Sequence, residues 1–360
     1  MQPLFEKIKK FTINLQRVPV SQKIFFVQQL GIMIKTGISL SVALNTLSRQ
    51  ASNKKFKTIL LSLKSEVEKG NLLSKGLEKY SQDFGELFIN MIKTGETSGK
   101  LEDVLKQLYI QMKKDHEIVG KVKGALIYPA IVITMMIVIG ILMMVYVIPN
   151  ITSIFEEVNA QIPLFTRILI WLSKFITANG ILVAAVSLIS ITIFVRLITW
   201  EKGKFQFHRI LLRTPVVGKI IVKINLARFC RTLSSLLKTD IPIVKTFGIT
   251  ADVLSNRLYR KALNEAKEQI QKGVSIEKSL NVYPKLFPPV ILQMIAVGED
   301  TGSLDDVLQE SAIFYEDEVS QTMDNLPSIM EPVLMVILGL GVAAMAVAVI
   351  MPMYSLSQAI

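Results

Sequence analysis

Apolar residues recur along this chain at the spacing of a helix, and nowhere do they alternate over a sustained stretch as they would in a strand. Phe26, Leu30, Met33 and Ile34 mark one helical face; Gly37 is placed to end that helix and Ser39 to cap the next. Further helices are predicted from about Lys54 to Lys69, stopping at Gly70, then over Ser74 to Tyr80 and over Gly85 to Thr94. A turn, Gly95-Glu96-Thr97-Ser98-Gly99, follows, with its glycines at positive φ. The next helix starts near Leu101, where Glu102 and Asp103 suit the positive end of the helix dipole, and it can continue into the apolar stretch beyond.

That stretch, Ala125 to Ile148, carries no charge and at a helical rise would measure roughly 36 Å, enough to cross a hydrocarbon core of about 30 Å with some tilt. Val333 to Met353 is also uncharged, and its small residues (Gly339, Gly341, Ala343, Ala344) either let another helix approach closely or fill the bilayer. Ile181 to Val195 is shorter; Arg196 snorkelling and Trp200 at the interface complete a span there. Leu164 to Ala178, with Trp171 and Lys174, can lie along the membrane surface.

The pattern also repeats, at a constant offset of 203 residues. Gly70 answers to Gly273, Tyr80 to Tyr283, Phe84 to Phe287, and Gly95-Glu96-Thr97-Ser98-Gly99 to Gly298-Glu299-Asp300-Thr301-Gly302. Pro129 and Pro149, bracketing the first apolar stretch, answer to Pro332 and Pro352, bracketing the last. The expected architecture is therefore all-α. It has two homologous cytoplasmic helical bundles of about six helices each and three transmembrane helices, the unrepeated middle one returning the chain so that both modules lie on one side. The divisions are an N-terminal tail 1–20, module 21–124, membrane helix 125–148, an extracytoplasmic loop and interfacial helix 149–180, membrane helix 181–200, module 201–328, membrane helix 329–353 and a C-terminal tail 354–360.

Composition agrees with that division. Hydrophobic residues make up 51% of the chain and charged residues 19%, and no signal peptide is expected in Met1 to Arg17. The net charge of +12 is spread over amphipathic helices rather than gathered in a patch, which argues against nucleic acid. Lys and Arg crowd the segments before the first span and between Glu201 and Asn325, whereas Arg167 and Lys174 are the basic residues between the first two spans. The positive-inside rule then makes both modules and the N-terminus cytoplasmic and the C-terminus extracytoplasmic. Cys230 is the one cysteine, so no internal disulfide forms, and His116 and His208 are too isolated for a zinc site.

Little in the sequence points to chemistry. Gly95 to Lys100 superficially suggests a phosphate loop, but three residues rather than four separate the glycines, Leu101 stands where Ser or Thr is needed, and Ser303 replaces the lysine in the second copy. Gly95, Glu96, Gly99, Gly298, Glu299 and Gly302 read either as a plain helix–helix turn or as a turn that also meets a partner. Pro129 and Pro332 suit inherited kinks at the cytoplasmic ends of their spans. Glu331, where the first copy has Tyr128, abuts the bilayer. It either snorkels to the interface or meets a charge on a partner's membrane helix. No nucleophile–base pair, paired-carboxylate site, cofactor motif or metal cluster emerges.

The duplicated signature Gly95-Glu96…Leu101-Glu102-Asp103-Val104-Leu105 and Gly298-Glu299…Leu304-Asp305-Asp306-Val307-Leu308, with Tyr128-Pro129 and Glu331-Pro332 leading into the spans and Ile162 to Arg167 before the second, resembles the general secretory pathway F / PilC family. These are the inner-membrane platform proteins of type II secretion systems and type IV pili, and the likeness runs from about Ser21 to Ile360. The resemblance implies a non-enzymatic platform, without a cofactor of its own, above a cytoplasmic hexameric ATPase. Such a platform passes the motion of the ATPase to pilin or pseudopilin subunits and works as a homo-oligomer among other inner-membrane assembly proteins and membrane lipid. Some first modules of the family are linked to a divalent ion, for which no ligands are carried over. Met1 to Val20 is shorter than many family tails, which leaves that tail's contacts open.

Overall fold

The computed structural model describes residues 18–150 and 164–357, so the tail before Val18, most of the loop after the first apolar stretch and residues 358–360 lie outside the described residues. All regular structure among the described residues is helical.

The first module comprises α1 (Val20–Lys35), α2 (Leu40–Gln50), α3 (Lys54–Glu68), α4 (Leu73–Glu78), the short α5 (Ser81–Phe84) and α6 (Glu86–Ser98). Then α7 (Leu101–Leu142) runs on without a break, passing directly into a five-residue π-helical stretch, Met143–Val147. Next come α8 (Leu164–Ala178), α9 (Gly180–Thr199) and α10 (Glu201–Arg213). The second module comprises α11 (Val217–Leu237), α12 (Ile243–Val253), α13 (Arg257–Gln271), α14 (Ile276–Asn281), α15 (Pro289–Thr301) and α16 (Leu304–Ser357).

The sequence repeat recurs in the helices. Helices α2, α3, α4 and α6 begin and end 203 residues before α12, α13, α14 and α15. The punctuation repeats too. Asn53 caps α3 by accepting from the Phe56 N–H at 3.0 Å, and Asn256 caps α13 by accepting from Leu258. Gly70 and Gly273 leave their helices at φ 82° and 86°, a region closed to most residues with a Cβ. Each core is organised by the same three aromatic positions: Phe26, Phe56 and Phe84 in the first module, Phe229, Tyr259 and Phe287 in the second. Tyr259, which differs from its counterpart by a hydroxyl, satisfies that buried group by donating to the Leu286 carbonyl. Burial raises its pKa well above the ordinary value.

The two modules, expected as two bundles, form one compact unit of residues 1–119 and 208–319. Leu236, Ile241 and Ile249 of the second module belong to the hydrophobic core of the first, and α12 packs on α6. Residues 120–207 and 320–360 form the other compact unit. Within it the surfaces of α7 and α16 expose Ile127, Ile131, Met135, Val336 and Leu340, apolar side chains that suit lipid rather than water. Among the described residues, two helices are long and apolar enough to cross a membrane, those of α7 and α16. The stretches Arg167–Ala178 and Gly180–Ser190 meet at a bend of 91° around Asn179, and they make a third candidate only if the bent pair counts as one span.

Candidate functional site

The glycine-flanked motif is not the turn that its composition suggests. Helix α6 continues through Gly95, Glu96 and Thr97 to Ser98, and only Gly99 leaves it, at φ 71°; in the second copy α15 continues through Gly298 and only Gly302 is left-handed, at φ 70°. The hydroxyls of Thr97 and Ser98 bond back to carbonyls one turn earlier and stay within the helix. Gly95 is needed for another reason. A Cβ there would stand 3.0 Å from Val104 and 3.1 Å from the Leu101 Cα, and at Gly298 it would stand 2.9 Å from the Leu304 Cα. The helix that follows the tight turn folds back against this face, and only a missing side chain leaves it room.

Glu96 and Glu299 are half-buried and their carboxylates are used. One Glu96 oxygen accepts from the Leu73 N–H at 2.5 Å and the other from Ser74 at 2.8 Å; Glu299 does the same with Ile276 at 2.6 Å and Glu277 at 3.0 Å. Each acid therefore caps the short helix before it, α4 or α14, satisfying two free N–H groups and meeting the positive end of the dipole. Helix α4 has Leu72 at its N-cap and no side-chain cap of its own, so the glutamate from α6 supplies one. A carboxylate 23 residues away from the amide that it caps escapes the local capping patterns of sequence reading.

A second polar assembly, which no sequence motif marks, joins the modules. Arg231 on α11 makes a two-pronged pair with Glu316 on α16, at 2.7 and 2.9 Å, and both side chains are buried. Lys114 on α7 reaches the same carboxylate at 3.6 Å. Gln111 bonds the Thr232 hydroxyl at 3.1 Å, and Arg228 Nε lies 2.7 Å from Asp115 without the alignment of a hydrogen bond. At the rim, Lys100 pairs with Asp240 at 2.7 Å, and that hydrogen bond holds the lysine pKa above its usual value. The available signal was a mismatch between copies: Arg231 and Glu316 answer to Gln28 and Lys113, so this charge pair exists in one module only. Cys230, beside Arg231, is fully buried, and burial pushes its thiol pKa far up, leaving it unreactive.

The helices α7 and α16 run unbroken through Pro129 and Pro332, and α16 includes Pro352. Glu331 is exposed on α16, one residue before Pro332. Pro149 stands two residues after the π-helical stretch that continues α7. Without an N–H it cannot bond back along the helix, and Ser173 of α8, itself buried, donates its hydroxyl to the Met144 carbonyl five residues earlier. In an apolar layer such a repair matters, because no water is available to satisfy that oxygen.

The type II secretion system protein F family model matches the chain twice, over residues 26–149 and 229–352, the same offset as the sequence and helix repeats. The type IV pilus assembly protein PilC of Thermus thermophilus is 32% identical over 92% of this chain and 81% of its own length. PilC of Pseudomonas aeruginosa is 29% identical over 98% of this chain and 96% of its own length, and the type II secretion system protein F of the same organism is 28% identical over 92% and 82%.

Proposed function

Since the chain belongs to the type II secretion system protein F family, we propose that it is the non-enzymatic inner-membrane platform of a type II secretion or type IV pilus assembly machine. In this reading it couples a cytoplasmic hexameric ATPase to insertion or removal of pilin or pseudopilin subunits. The observation that carries the reading is the double family match, with each matched module running without a break into a long apolar helix.

A platform must turn a push from one side of the membrane into a movement within it, and a helix continuous from a packed module into the lipid is a stiff connection for that. The modules face the cytoplasm, α9 makes the third crossing and the C-terminus lies outside, as the lysine and arginine distribution suggests. Glu331, exposed at the edge of the apolar part of α16, meets a charge on the membrane helix of a pilin-like subunit. Glu96 and Glu299, in the cytoplasmic modules, meet a partner through the short helices that they cap.

The test is to tag the full chain, extract native membranes in mild detergent and identify by mass spectrometry what co-purifies. A secretion-type hexameric ATPase together with pilin-like proteins is the expected result. Recovery of neither from an intact complex would overturn the reading. Within it, Glu331→Gln is expected to reduce fibre or secretion output while leaving membrane levels of the protein unchanged.

A further inference from the structure

The contact between the two modules is one-sided. Helix α12 of the second module seats on α6 of the first, and Leu236, Ile241 and Ile249 enter the first module's core. On α6, Leu87 packs against that core and Met91 is at 0% exposure. A two-fold arrangement would repeat this contact between α2 and α15, their counterparts at the 203-residue offset. Instead, those faces are open. On α15 the residues answering to Leu87, Met91 and Thr94 are Val290, Met294 and Val297, which are 59%, 37% and 54% exposed. At the other end of the chain, Ile38 answers to the docked Ile241 and is 39% exposed, and Val42, one turn further along α2, is 56% exposed. Where the docked module carries the exposed Lys245, the open one carries Val42, and where it buries Ile249 the open one carries Thr46.

Each chain thus ends in the two halves of an interface that it has already made once. The receiving face is on the second module and the inserting face is on the first. We propose that chains associate head to tail, with the Ile38–Val42 face at the start of α2 on one copy seating on the Val290, Met294 and Val297 face of α15 on the next. The contact within a chain is then reproduced between chains. Such a heterologous step, unlike a two-fold one, propagates and closes into a ring when its rotation divides a full turn. The rim differs in one respect: Lys100 and Asp240 pair inside the chain, whereas their counterparts Ser303 and Gly37 cannot, so the contact between chains rests on apolar burial. The inference holds whether or not the platform reading does.

The natural chain suits a cysteine test, because its one cysteine, Cys230, is buried. Full-length Val42→Cys and Val297→Cys variants, carrying different tags, are co-expressed and oxidised in native membranes, with Ile38→Cys and Met294→Cys as a second pair. A disulfide-linked dimer is expected only when both members of a pair are present, and a ladder of multimers when Val42→Cys and Val297→Cys lie on one chain. Efficient linking of either single variant to itself would show a two-fold interface and overturn the proposal, as would the absence of linking in both pairs. Independently, Val297→Asp, at an exposed position where folding is not at stake, is expected to reduce the mass of the detergent-solubilised oligomer to that of single chains. An unchanged mass would refute the head-to-tail contact.

Discussion

Replacing Glu96 by alanine removes both acceptors from the start of α4 and leaves the Leu73 and Ser74 amides without their partners. Hydrogen bonds to a charged group contribute about 1.5–3 kcal/mol each, and less where water can substitute. Glu96 is only half-buried, so about 2–4 kcal/mol for the pair is a reasonable sum. At about 1.4 kcal/mol per decade, local opening should become roughly 30- to 700-fold more frequent. Hydrogen exchange read at the Leu73 and Ser74 amides of the full-length protein in detergent measures this directly, with the core of α3 as an unchanged control. Glu96→Gln keeps one acceptor oxygen and should fall between wild type and alanine. Glu299→Ala should act likewise on Ile276 and Glu277, but less strongly, because Ser275 also caps α14 by accepting from Lys278. Unchanged exchange at Leu73 and Ser74 in Glu96→Ala would refute the assignment of this acid as the cap of α4.

Arg231→Leu should destabilise the two-module unit by about 3–5 kcal/mol, since it strands Glu316 in a buried site, and adding Glu316→Leu should recover most of the loss; limited proteolysis of the three variants checks this. Gly95→Ala and Gly298→Ala should each cost about 1–3 kcal/mol by forcing the following helix away, seen as a lower thermal midpoint, with the larger loss at Gly298, where backbone stands closest. Gly99→Ala, strained only by its positive φ, should cost about 1 kcal/mol. Tyr315 has a pKa pushed up to about 12, chiefly by burial. Its folded pKa lies above the unfolded value of about 10, so its contribution to stability is complete below pH 10 and is lost as pH rises through about 12. Tyr315→Phe should flatten the fall in thermal midpoint over that range.

The sequence by itself determined the helical periods, the duplication and its offset, the apolar stretches, and most helix ends. Each of these signals is local or repeated. A positive φ after α3 needs a glycine at position 70 whatever surrounds it, and a run without charge from Ala125 to Ile148 is apolar in any fold. The α1–α4 and α7 boundaries were accordingly legible to within a residue or two where their caps were read. Helix α6 was not, because Gly95 looks like a breaker until the helix packed against it is seen. The partners of Glu96 sit 22 and 23 residues away, and Arg231 and Glu316 are 85 apart. Such pairings depend on how helices pack, and hydrophobic patterning says which face is buried but not against what. The one-sided contact between modules belongs to the same class. Two copies of one module have the same faces available, and only the tertiary structure decides that α12 covers α6 while α2 and α15 stay open.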